Sequence, residues 1–99
     1  MTDTVLSVDR VEANAHRAWL DAAYEVVERL AKTRRYFTTD DVHELLDGQD
    51  VWTHEARAMG AVLRKAARNG LIVGTNEYAL SQRAVAHSNP KRVWKSLAP

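Results

Sequence analysis

The sequence predicts a mainly helical α+β domain in which three helices are followed by a C-terminal β-hairpin. Three observations predict it. Trp19, Ala23, Val26, Val27 and Leu30 recur at the spacing of one apolar stripe on an amphipathic helix. The stretches "YFTTDDVHELLDG" and "EARAMGAVLRKAARNG" carry start and stop signals of two further helices. Beyond Gly70, strand formers alternate with turn residues as far as Leu97.

The 99 residues, 45% hydrophobic and 27% charged, suffice for one domain with a single modest core. Residues 1–13 mix Val5, Leu6, Val8 and Val11 with charges at no decisive period. They are expected to form an N-terminal arm, partly ordered or adding a turn to the first helix, that docks, for example, onto a second copy. The folded domain is expected over 14–99, as a monomer or a homodimer.

The first helix is expected from about Ala15 to Lys32, ending in the cations of "KTRRY", which favour the negative end of the helix dipole. In the second, Thr38 at the N-cap puts Asp41 at N3, an Asp version of the capping box. Phe37 and Val42 then stand at the N′ and N4 positions of a hydrophobic staple. Asp40 and Asp41 suit the positive end of the dipole, and Gly48 lies just past the helix. Val51–Trp52 reads as a brief strand. Thr53 is expected to cap a third helix over 54–69, with Gly70 at C′ and Leu71 at C″ of a Schellman ending.

"LIVGTNEYALS" reads as two short extended pieces around a turn at Gly74–Thr75–Asn76. "QRAVAHSNPK" reads as a polar loop, and "RVWKSL" as a closing strand with Val93 and Leu97 on one side and Trp94 on the other. Three helices with a C-terminal hairpin make a winged helix-turn-helix, in which the third helix is the reading element.

Charge is divided between the halves of the chain. Residues 1–50 hold 6 Lys/Arg against 11 Asp/Glu, whereas residues 51–99 hold 8 against 2. This suggests one face that attracts anions, unless the halves neutralise each other across the fold. With Arg57 set at 0° and about 100° added per residue, Arg64, Arg68, Ala61 and Lys65 fall between about −20° and 80°. Ala56, Leu63, Met59 and Ala66 fall on the opposite side.

The third helix thus carries a basic ridge, with the small residues Ala58 and Ala61 between its cations. A narrow edge with long cationic side chains suits a helix entering the major groove. A merely solvated face, the competing reading, would interleave Glu with Lys or Arg. Gly60, at the edge of the core side, is expected to allow close packing against another helix. Arg83, Lys91 and Arg92, with His87 as a neutral donor, are expected to contact the DNA backbone from the wing at residues 82–92. Basic loops also serve solubility alone.

Other chemistries are not expected. There is no cysteine, and His16, His43, His54 and His87 never pair at helical ligand spacing, so neither a disulfide nor a metal site is expected. Asp40–Asp41 is explained by capping. No phosphate-binding glycine loop and no nucleophile motif is present, so neither enzyme activity nor a cofactor is expected. The N-terminus does not resemble a signal peptide, and no apolar run approaches the ~18 residues of a membrane span; a cytoplasmic location is expected.

The segments "WLDAAYEVVERLAKTRRYFTTDDVHELL", "RAMGAVLRKAARNGLI", "NEY" and "HSNPKRVWKSL" resemble a group of small winged-helix proteins of actinobacterial phages and prophages. The resemblance runs from about Asn14 to Leu97. That group often has proline in the first turns of its first and third helices, where this chain has His16 and Glu55 or Ala56. The resemblance implies a regulatory DNA-binding protein in the cytoplasm of an infected bacterium. It equally admits a phage module that binds and disables a host protein, presenting Asp21, Glu25, Glu28, Asp40, Asp41, Glu44 and Asp47 as an acidic surface.

Overall fold

The computed structural model describes residues 3–53, 55, 57–83 and 89–97. Helix α1 spans Asp3–Thr33, strand β1 Tyr36–Phe37, helix α2 Thr39–Leu46, helix α3 Ala58–Arg68, strand β2 Ile72–Leu80 and strand β3 Pro90–Ser96. These form a mainly helical α+β domain with a three-stranded antiparallel sheet in the order β1-β3-β2.

The stripe on α1 is the centre of the core. Trp19, Ala23, Val26, Val27 and Leu30 are all buried, against Phe37, Val42 and Leu46 on one side and Met59, Val62, Leu63 and Ala66 on the other. Helix α1 therefore packs on both α2 and α3. It starts at Asp3 rather than near Ala15, so the segment expected as an arm continues the helix. No Gly or Pro stands before Gly48, and Ala13, Ala15 and Ala18 favour helix, so nothing local interrupts it. Its last turn closes with Arg34 N–H donating to Leu30 C=O at 2.8 Å.

The capping box of α2 forms as expected. Thr38 Oγ1 accepts from the backbone of the first turn, and the Asp41 carboxylate accepts from Thr38 N–H at 2.8 Å. The Schellman ending of α3 forms too, with Asn69 as C-cap. Leu71 N–H donates to Ala66 C=O and Gly70 N–H to Ala67 C=O, both at 3.0 Å, while Gly70 takes φ +78°. That left-handed conformation is strained for any residue with a Cβ.

Three expectations are corrected, two on strands and one on a helix start. Val51–Trp52 is not a strand. Both edges of β3 are already taken, by β2 and by Tyr36–Phe37, which pairs Tyr36 with Lys95 and Phe37 with Trp94. Val51 instead packs partly buried against the core. There is no turn at Gly74–Thr75–Asn76 either, because β2 runs through it with a shift of register. Gly74 faces Trp94 and Tyr78 faces Arg92, leaving Thr75, Asn76 and Glu77 opposite Val93 alone. Thr75 Oγ1 fills the broken ladder by donating to Val93 C=O at 2.7 Å and accepting from Glu77 N–H at 3.1 Å.

The third correction concerns the start of α3, which begins at Ala58 with Arg57 as N-cap and no side-chain cap bond. Thr53 is not its cap. Its Oγ1 accepts from Glu55 N–H at 3.1 Å and lies 2.7 Å from His16 Nδ1 on α1, so it fixes the preceding loop to α1. The connection 47–57 is consequently longer than the roughly three- or four-residue turn of a minimal helix-turn-helix.

Candidate nucleic-acid interface

Helix α3 has two chemically different sides. Ala58, Met59, Val62, Leu63 and Ala66 are buried, while Arg57, Ala61, Arg64, Lys65 and Arg68 are exposed. The structure thus brings four of the expected cations, Arg57, Arg64, Lys65 and Arg68, onto one exposed ridge. Among the described residues the ion pairs are Arg34–Asp41 and Arg83–Asp47, so no carboxylate neutralises the ridge at short range.

Two details of the ridge are corrected. Ala58 does not lie between the cations. It is buried, because Val62, one turn on, draws that side of the helix into the core. Ala61 alone keeps the edge narrow. Gly60 does not make room for another helix. A Cβ there would meet only the Arg64 guanidinium, at 3.2 Å from Nη1, so the glycine lets Arg64 lie along the helix.

Tyr24 of α1 braces the ridge from below. Lys65 Nζ stands 4.9 Å from the centre of its ring, and Asn69 Nδ2 donates to its hydroxyl at 2.7 Å. A groove of about 370 Å³ runs here between α1 and α3, lined by Arg17, Asp21 and Tyr24 on one wall and Ala61, Lys65 and Arg68 on the other. The sequence patterns assign Arg17 no role. Its spacing, three residues before Leu20 and seven before Tyr24, sets it on their face of α1, which becomes informative once α3 is known to pack beside that face.

The hairpin cations diverge. Lys91 and Arg92 are adjacent on β3, so their side chains leave opposite faces of the sheet. Arg92 is exposed and lies against its cross-strand partner Tyr78, donating from Nη2 to the hydroxyl at 3.2 Å. Gly74 makes this possible, since a Cβ there would come within 2.9 Å of Arg92 Nη1. Lys91 is half-buried. Arg83 is half-buried too, with Nη1 donating to Asp47 Oδ2 at 3.1 Å. His87 lies outside the described residues.

Asp40 does more than sit at a helix start. Its carboxylate accepts from Ser81 Oγ, at 2.8 and 3.0 Å, and from Gln82 N–H at 2.7 Å. Ser81 is only 3% exposed, and Arg83 N–H donates to its hydroxyl at 3.2 Å. With the Arg83–Asp47 pair, this network fastens the base of the hairpin to α2. It also engages three carboxylates of the expected acidic surface internally, since Asp41 serves Thr38 and Arg34. Beside it, half-buried His43 is shifted below the ordinary histidine pKa, first by burial and then by the Arg83 guanidinium, with Asp47 and Asp40 opposing.

Among the described residues no group of His, Asp and Glu is arranged to hold a metal ion, and no helix is long and apolar enough to cross a membrane. Compared with known protein families, curated proteins and solved structures, the chain matches none.

Proposed function

We propose that the chain is a winged helix-turn-helix protein that binds duplex DNA in a regulatory role, with α3 as its reading helix. The single observation that carries this is the exposed ridge Arg57, Arg64, Lys65 and Arg68, unpaired with any carboxylate among the described residues, on a helix whose opposite side is core. The element order and the sheet order β1-β3-β2 support the winged-helix reading.

Binding begins with neutralisation of phosphates, which releases condensed counterions and makes affinity fall steeply with salt. Ala61 keeps the leading edge of α3 narrow, and its arginines supply the bidentate donors that read guanine edges. Arg92, held by Tyr78, and Lys91 contact flanking backbone from the hairpin. Arg83 acts at the hairpin base, where its pair with Asp47 fixes the wing against α2. Origin in an actinobacterial phage or prophage, and with it the cytoplasm of the host, is carried by the sequence resemblance.

The test sets duplex DNA against a host protein. Tagged protein is incubated with bacterial lysate, with and without nuclease. Recovery of DNA fragments that Arg64→Glu fails to recover supports the proposal. Enrichment of one host protein that survives nuclease and is indifferent to Arg64→Glu overturns it in favour of a host-binding module.

A further inference from the structure

The groove between α1 and α3 extends the proposed DNA surface beyond the reading helix. Its floor is apolar, built from Leu20, Val62 and the Tyr24 ring, and its rim carries three cations, Arg17, Lys65 and Arg68, against one carboxylate, Asp21. Arg17 and Asp21 are one helical turn apart on α1, yet no ion pair joins them, so Asp21 does not neutralise Arg17 at contact range. Lys65 is held over the Tyr24 ring, which is braced in turn by Asn69, so its ammonium remains at the groove without a carboxylate partner. At about 370 Å³ the groove lies at the small end of the ~300–1,000 Å³ range of ligand sites. That is room for one sugar-phosphate unit, not for a second helix.

We infer that this groove seats one backbone phosphate of the duplex bound by α3, with Arg17 reaching it from α1 and Lys65 from α3. The inference rests on the reading of α3 as the DNA-contacting helix and adds α1 to that contact. Arg17 and Lys65 converge on the phosphate oxygens from opposite walls, and the sugar covers the apolar floor. Asp21, on the same rim, opposes the anion. The contact therefore carries affinity and register but no base preference.

Duplex binding is measured by fluorescence anisotropy over a range of salt concentrations for wild type, Arg17→Ala, Asp21→Asn and Arg29→Ala. Arg29 is an exposed α1 cation that does not line the groove. Arg17→Ala is expected to weaken binding about tenfold at low salt, equally for every sequence, and to flatten the slope of log affinity against log salt by about one. Asp21→Asn is expected to tighten binding, and Arg29→Ala to leave the slope unchanged. If wild type binds but Arg17→Ala keeps its affinity and slope, or Arg29→Ala matches the loss, the groove contact is wrong and the reading of α3 stands. If wild type binds no duplex at low salt, both fall together. Far-ultraviolet circular dichroism of each variant verifies that it is folded.

Discussion

Ser81 Oγ lies 2.8 and 3.0 Å from the two carboxylate oxygens of Asp40, which joins the hairpin base to the first turn of α2 across 41 residues of chain. The hydroxyl is buried, so its donor has no solvent to turn to if the carboxylate is removed. This bond, with Gln82 N–H on the same carboxylate, sets where the hairpin leaves the domain.

Asp40→Ala is therefore expected to destabilise the fold by about 1–3 kcal/mol, read from urea unfolding, since it strands a buried hydroxyl and a backbone donor. Ser81→Ala leaves no buried hydroxyl unpaired and keeps the bond from Gln82 N–H to the Asp40 carboxylate, so it should cost less even though Arg83 N–H loses its acceptor. Equal losses in the two variants, or none in Asp40→Ala, would count against the bond.

His43 is depressed in the folded state by burial and by Arg83, so the unfolded chain binds the proton more readily. Its contribution to stability is fully present above about pH 6.5, the unfolded value, and is lost as the pH falls through the lower folded value. The difference in unfolding free energy between pH 7.5 and pH 5 is expected to shrink in His43→Gln. An unchanged difference would mean that the folded protein accepts the proton without penalty.

Helices and sheet were not equally legible in the sequence. The capping box at Thr38 and Asp41, the Schellman ending at Gly70 and Leu71, and the buried stripe from Trp19 to Leu30 depend on neighbours within a turn or two, and each was readable. Tyr36–Phe37 is a strand only because β3 returns beside it, and two residues have no period to read. Val51–Trp52 has strand formers, but both edges of the central strand β3 are taken by β1 and β2. The same limit applied to the candidate site. The basic ridge on α3 followed from angles along one helix, whereas the Asp40–Ser81 bond, the Tyr24 brace and the position of Arg17 depend on segments far apart in sequence.

Gly70 at φ +78° has open space around it, so its replacement tests backbone conformation alone. Gly70→Ala is expected to lower stability by about 1–2 kcal/mol in thermal unfolding, the cost of a left-handed residue with a Cβ. A neutral substitution would place the end of α3 in another conformation.

Gly74→Ala puts a methyl group where the Arg92 side chain now passes, 2.9 Å from Nη1 and 3.0 Å from Cδ. The guanidinium end is flexible, so the chain should fold with a loss of at most about 1 kcal/mol, comparable to an exposed cation–π contact. Arg92 should leave Tyr78, and the ring-current shift of its δ protons should disappear from the NMR spectrum. Retention of that shift would show that the arginine needs no glycine to reach the ring.

The proposed function requires the ridge on α3 to be aimed at duplex DNA. Its most direct test is titration of labelled random-sequence duplex with wild type and Arg64→Glu at low and near-physiological salt. The expected result is low-salt binding by wild type that weakens steeply as salt rises, and at least tenfold weaker binding by a folded Arg64→Glu. No detectable low-salt binding, or an Arg64→Glu protein that binds as tightly as wild type, would contradict it.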